Sequence, residues 1–280
     1  MSEIEEVINS RSLTEQSKRN YRNFYNKIIL NLNRQIQDTE QETLLDVIEE
    51  ISNGKVSNKL SFLNICILVK QQFNKPLQKL LTKREAFMKV REKEQKNNTN
   101  LKMIDLPDYN AVKKYVNSLT GVKYIVNYLI FNYGVRNKDI NTYITTRANT
   151  KNIFTEYNYL LVKNREIEWI RNNFKTSNTY GQQRIVIKAK KFIDEVKKLQ
   201  PETYLLSGTD IPIAENSLSN TISRMLYKHN EKNLTESDYF KINIKYLQTQ
   251  PNSYSKIIKL GSYRGTDPKT IEGFYNISKA

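Results

Sequence analysis

A ten-residue polar run, Lys93-Glu-Gln-Lys-Asn-Asn-Thr-Asn-Leu-Lys102, whose only apolar member is Leu101, divides this chain into two parts of different pattern. Before it, apolar residues recur three and four apart, the period of one helix face. After it, two helical segments give way to β-branched and aromatic runs, and helices then return. A stretch that offers a core almost nothing to bury reads as a linker. The expected organisation is therefore a helical domain over 1–95, a linker over 96–103 and a second domain over 104–280. Each part is long enough to bury its own core.

In the first part, Ser12-Leu-Thr-Glu15 reads as a capping box. The helix it opens carries Tyr21, Phe24, Tyr25, Ile28, Ile29 and Leu32 on one side. Lys18, Arg19 and Arg22 extend its polar surface and are the expected DNA-contacting cations there. Shorter patterns over Thr43–Ile51, Val56–Phe73 and Leu77–Glu94, the last with Pro76 at its start, complete a small bundle. In the second part, helices are expected over Tyr109–Leu119 and Thr120–Tyr133. Strands follow over Tyr157–Lys163, Glu166–Phe174 and Gln183–Ile187, with turns at Asn164-Arg165 and Ser177–Gly181. The remainder reads as helices over Lys190–Leu199, Leu218–Tyr227, Asp238–Leu247, Tyr254–Leu260 and Pro268–Tyr275. The expected class is mainly α with a small antiparallel sheet (α+β).

Charge narrows the partners. The chain carries a formal +16, and the excess is uneven. Residues 1–100 hold 17 basic and 13 acidic side chains, whereas 101–280 hold 28 and 16. Lys and Arg dispersed over folded elements suit a phosphate backbone, where each neutralised phosphate releases a counterion. Double-stranded DNA is the expected partner, and a solvated basic surface is the plainer alternative. No apolar run of membrane-spanning length and no basic amphipathic helix with an exposed aromatic face points to a membrane. Met1–Ser10 lacks the apolar segment of a signal peptide, so an intracellular location is expected. The single cysteine, Cys66, sits in an apolar stretch and reads as a buried core thiol. One cysteine and one histidine exclude a Cys/His zinc site, and no metal or small-molecule cofactor is expected.

Three segments carry chemistry. Asn132-Tyr-Gly-Val-Arg-Asn-Lys-Asp-Ile140 follows a helix with a buried face. Lys175-Thr176 lies between two expected strands. The end of the chain reads Lys259-Leu-Gly-Ser-Tyr-Arg-Gly-Thr-Asp-Pro-Lys-Thr-Ile-Glu-Gly-Phe-Tyr-Asn276. In this order, after a helical bundle and a linker, they resemble the tyrosine recombinase (integrase) family over roughly residues 12–278. The first segment is similar to that family's TGLRxSEL box and the last to its LGHxxxxTTxxYxH segment. The resemblance implies a helical core-binding domain followed by a catalytic domain that together clamp duplex DNA. It makes Arg136 the first phosphate-gripping arginine, whose planar fork donates two parallel hydrogen bonds. Lys175 becomes the general acid for the leaving 5′ oxygen, and Tyr275 the nucleophile that forms a 3′-phosphotyrosine. It also implies homo-oligomers on DNA, although only Asn276–Ala280 follow the tyrosine.

Other positions depart from the family. The expected H-x-x-R box falls on Leu234–Tyr246, placing Ser237 at the histidine and Phe240 at the second arginine. Ser262 replaces a later His or Trp, and the stretch from there to Tyr275 exceeds the family's usual spacing. His229 lies too early for the box and is expected to cap or flank the preceding helix. Lys241, Lys245 and Arg264 are the cations placed to substitute. Three readings stay open: a DNA breaking–rejoining enzyme, a catalytically degenerate DNA clamp, and an unrelated basic α-rich scaffold or RNA-binding protein.

Overall fold

In most helices apolar residues three and four apart become buried faces, including one place the composition concealed. The computed structural model describes residues 2–146, 157–174 and 176–275, and the chain divides into two compact units, 1–98 and 99–280. The first unit contains α1 (Glu3–Asn9), α2 (Glu15–Leu32), α3 (Gln41–Ile51), α4 (Val56–Gln72) and the first part of α5 (Gln78–Ile104). The acidic opening residues hide Ile4, Val7 and Ile8, which α1 buries on one side.

Capping at α2 differs from the sequence expectation. Thr14, not Ser12, is the N-cap, and its Oγ1 accepts from the Ser17 N–H at 3.2 Å. The unit's core gathers Tyr25, Ile28, Leu44, Ile48, Phe62, Leu63 and Cys66. Burial pushes the Cys66 thiol up to about 12, so it stays protonated and unreactive. Two buried charges fasten the α2–α3 connection. The Glu3 carboxylate accepts from the N–H groups of Ile36 and Gln37 (3.0 and 2.7 Å) and from the Tyr25 hydroxyl (3.0 Å). Lys70 donates to the carbonyls of Gln37 and Thr39 at 2.9 and 2.6 Å. Together they satisfy backbone groups that burial would otherwise orphan.

The polar run over 93–102 is helical and continues α5 across the boundary between the units. The segment expected to be a linker is thus helix, and the division between units falls at residue 98. Residues 77–106 contain neither Gly nor Pro, and Lys96 pairs with Glu92 one turn earlier at 3.0 Å. Such a sequence has no reason to break a helix, however little it buries.

The second unit continues with α6 (Tyr109–Ser118), α7 (Gly121–Tyr133), α8 (Asn137–Ile140), β1 (Thr142–Thr145), β2 (Asn158–Val162), β3 (Ile167–Arg171), α9 (Ser177–Tyr180), β4 (Gln183–Ile187), α10 (Lys190–Lys197) and β5 (Thr203–Tyr204). It ends with α11 (Glu215–Ser223), β6 (Lys228–His229), β7 (Lys232–Asn233), α12 (Glu236–Gln248), α13 (Ser253–Arg264) and α14 (Pro268–Tyr275). The protein is thus mainly α with a smaller β component. Its main sheet has the order β4-β3-β2-β1-β5. The antiparallel run β2-β3-β4 matches the expected strands, but β1 pairs parallel with β2 and antiparallel with β5. The sheet is therefore mixed, not purely antiparallel. Strand β1 spans four residues and β5 two, too short for alternation to announce them. His229 lies in the small β6–β7 hairpin, not at a helix end; Asn230 and Glu231 turn it with positive φ.

The core of this unit wraps Trp169, Phe192 and the apolar length of α7. Where α7 stops, Gly134 takes φ 60° as the C-cap. A Cβ there would stand 2.7 Å from Phe240 Cδ2 and 3.1 Å from Leu260 Cδ1. Gly134→Ala is therefore expected to lower stability through strain of about 1–3 kcal/mol for a non-glycine residue in the left-handed region, with further loss from overpacking. Chemical denaturation of the variant would show a lower midpoint, and an unchanged midpoint would contradict the close approach.

Candidate functional site

The break at Gly134 turns the chain so that Arg136 becomes the N-cap of α8, in extended conformation. Its N–H donates to Asp139 Oδ2 at 2.8 Å. Its side chain leans onto the end of α13. Nη1 donates to the Arg264 carbonyl at 2.8 Å, and Nη2 lies 3.5 Å from Thr266 Oγ1. Among the described residues no carboxylate pairs with this guanidinium, which stays half-buried with donors to spare.

Arg264, the last residue of α13, is 8% exposed. Its Nη1 donates to the Gly134 carbonyl at 2.8 Å and approaches that of Val135 at 3.3 Å. Its Nη2 donates to Ser237 Oγ at 2.9 Å and lies 3.5 Å from Glu236 Oε1. The guanidinium sits 4.8 Å from the centre of the Phe240 ring. Arg264 therefore touches both Ser237, through a hydrogen bond, and Phe240, through its ring face. Burial pulls its pKa down from the usual arginine value, an effect the nearby Glu236 opposes.

Tyr275 closes the cluster from α14. Asp267 caps that helix, accepting from the Thr270 N–H at 2.9 Å and its hydroxyl at 2.6 Å, and Pro268 suits the first turn. Ile271 packs so tightly on Gly261 that a Cβ at 261 would overlap its Cδ1. The Tyr275 ring meets Phe240 edge-on at 5.7 Å, and its carbonyl accepts from Gln248 Nε2 at 2.8 Å. Burial raises the phenol's pKa, while the charges of Arg264 and Arg136 pull it back down. The hydroxyl has no hydrogen-bond partner among the described residues.

The other sequence candidates separate from this centre. Lys241 is partly buried beside Asp238 at 3.9 Å; burial lowers its pKa, and Lys102 and Arg264 add to the lowering. Lys245 is exposed and donates to the Met103 carbonyl. The exposed Ser262 turns its hydroxyl back to the Lys259 carbonyl at 2.7 Å. Lys175 lies outside the described residues; its neighbour Thr176 donates to the Gly265 carbonyl at 3.3 Å. In the first unit, Lys18 pairs with Glu15 at 2.7 Å, and Arg22 forks onto Glu5 at 2.7 and 2.9 Å. Arg19 is exposed.

Sequence reasoning passes over Arg171 and Asp139, which form a fully buried ion pair at 2.9 Å. A signal was present. Along Ile167-Glu-Trp-Ile-Arg171, the arginine shares the strand face of Ile167 and Trp169, an inward position that a charge occupies only with a partner.

Comparison with known proteins finds no family model and no curated relative that matches this chain. The residues and their geometry carry the functional reading.

Buried phenols set an alkaline limit on stability. Burial pushes Tyr124 and Tyr204 up to about 12 and raises Tyr133, Tyr239 and Tyr275 as well. The unfolded chain releases these protons near pH 10, whereas the folded chain holds them. Stability is therefore full below about pH 10 and falls as pH rises through the folded values. Denaturation midpoints at neutral pH and at about pH 11, read with phenolate absorbance, should show the loss together with delayed ionisation.

Proposed function

We propose that this chain is a duplex-DNA-binding protein built on a tyrosine-recombinase-like plan, in which Arg136 anchors a backbone phosphate. The observation that carries this reading is convergence. Arg136, Arg264 and Tyr275 come from three separated segments, two of them chosen by motif and one as a substitute cation; Arg136 rests on the Arg264 carbonyl, and Arg264 and Tyr275 both pack on Phe240. Arg136 keeps unspent donors and no carboxylate partner among the described residues, so a phosphate is the acceptor its fork suits. Arg264 has its donors engaged by Gly134, Val135 and Ser237. It contributes by charge and by holding the Gly134–Arg136 turn rather than by gripping the ligand. The remaining positive charge, concentrated after residue 100, supplies sequence-independent phosphate contacts.

Strand cleavage is the second reading, favoured by one feature: Tyr275 lies near two guanidiniums, whose charge partly offsets the burial that raises its pKa. Attack on phosphorus would form the phosphotyrosine and release a 5′ hydroxyl, which takes up a proton. Against it stand Ser237 and Phe240, which provide neither an imidazole nor a second fork. Each lost donor to such a transition state costs roughly 3–4 kcal/mol, so binding without turnover is the reading placed first.

Two measurements test this. Anisotropy titrations of a short duplex over a salt series should show Arg136→Ala weakening binding about tenfold or more, as expected for a hydrogen bond to a charged group worth about 1.5–3 kcal/mol. The salt slope should flatten by about 0.9 for the lost phosphate. Equal affinity for wild type and Arg136→Ala would remove the anchor and, with it, the reading. Detergent-stopped incubation with supercoiled plasmid should leave the DNA unlinked to protein in the wild type as in Tyr275→Phe. A covalent adduct in the wild type alone would establish the cleaving enzyme instead.

A further inference from the structure

The buried pair Arg171–Asp139 joins the two segments that hold the cationic site. Arg171 ends β3 with no exposed surface, and its guanidinium lies between the rings of Phe174 and Trp169 at 4.7 and 5.2 Å. One nitrogen, Nη1, donates to the Tyr263 carbonyl at 2.6 Å and to Gln183 Oε1 at 2.7 Å. Nη2 stands 2.9 Å from Asp139 Oδ2, the same oxygen that accepts the Arg136 N–H. Tyr263 is the chain neighbour of Arg264, whose carbonyl receives the Arg136 side chain. The contacts close a ring: Arg136, Asp139, Arg171, Tyr263, Arg264 and back to Arg136.

Stability alone accounts poorly for this arrangement. A buried ion pair is often no better than apolar residues of similar volume, because both ions must be stripped of water. Here Nε and Nη2 of Arg171 and Oδ1 of Asp139 also lack hydrogen-bond partners among the described residues. What the pair does accomplish is geometric. A rigid planar cation spans the N-cap of α8 and the end of α13, and so sets the distance between the backbone of Arg136 and the carbonyl its side chain rests on.

We infer that Arg171, held by Asp139, is a positioning residue that fixes the Arg136 guanidinium in its anion-receiving pose. The inference rests on the phosphate-anchor reading for its function, but the strut itself is testable without DNA. Arg171→Met combined with Asp139→Asn removes both charges together while keeping an acceptor for the Arg136 N–H. Arg171→Lys keeps the charge opposite Asp139 but loses the fork, so it serves if the double variant melts early.

In the full-length protein, phenylglyoxal labelling followed by mass spectrometry reads the reactivity of each arginine. The folded variant should modify Arg136 severalfold faster than wild type, with the exposed Arg184 unchanged as the control. In the DNA titration, the variant should lose about as much affinity and salt slope as Arg136→Ala, and adding Arg136→Ala to it should cost nothing more. Unchanged Arg136 labelling in a folded variant overturns the proposal. So does a loss of affinity that adds in full to that of Arg136→Ala. If the wild type binds no duplex, or Arg136→Ala binds as well as wild type, the DNA reading fails, and the labelling result alone decides the strut.

Discussion

Two arginines hold each other's backbone. Arg264 donates to the carbonyl of Gly134, where α7 ends, and Arg136, two residues further on, donates back to the carbonyl of Arg264, where α13 ends. Helix C-termini leave carbonyls without partners, and here each guanidinium answers the other helix's need. The exchange depends on Gly134 twice. Its left-handed φ ends α7 in the right place, and its missing side chain admits Phe240 and Leu260 beneath the turn. Everything proposed for the site follows from this latch: the pose of Arg136, the burial of Arg264 and the closeness of both charges to Tyr275.

Much of the scaffold was legible because it depends on local rules. The period of apolar residues located α2, α3, α4, α6, α7 and α10, and Pro268 with Tyr275 bounded α14. The three antiparallel strands declared themselves through aromatic and β-branched content. What stayed hidden depends on partners distant in sequence. Strand β1 has four residues, and its place is set by β2 and β5 on either side. Helix α1 has seven residues and carries Ile4, Val7 and Ile8 among glutamates, so composition spoke for the exposed side and concealed the buried one. The polar run in α5 shows the reverse error: lack of core-forming residues was read as lack of structure, although nothing in it breaks a helix.

The site was half legible for a related reason. Arg136 and Tyr275 could be nominated because motif and chain order are properties of the string. That Arg264, rather than Lys241 or Lys245, reaches Ser237 and Phe240 could not be, since all three are cations near the same segments. The fold distinguishes them by where helix α13 ends. Lys245 points its charge to a carbonyl at the start of the unit, and Lys241 stays beside Asp238. Arg171 was passed over because a charge inside an apolar alternation looks like noise until Asp139 is placed opposite it.

The identity of residue 240 then shapes the site's chemistry. A phenylalanine there provides a flat apolar face on which the Arg264 guanidinium stacks and against whose ring Tyr275 packs edge-on. That packing removes Tyr275 from water, which favours the neutral phenol and works against the attraction of the two guanidiniums. Ser237 already accepts from Arg264 and is a poor base in any case. Among the described residues no hydroxyl, carboxylate or imidazole contacts the Tyr275 hydroxyl to take its proton, whereas Arg136 has donors left to receive an anion. Charge without a base holds a phosphate more readily than it breaks one, and this asymmetry is why the anchoring role of Arg136 is placed ahead of the nucleophilic role of Tyr275.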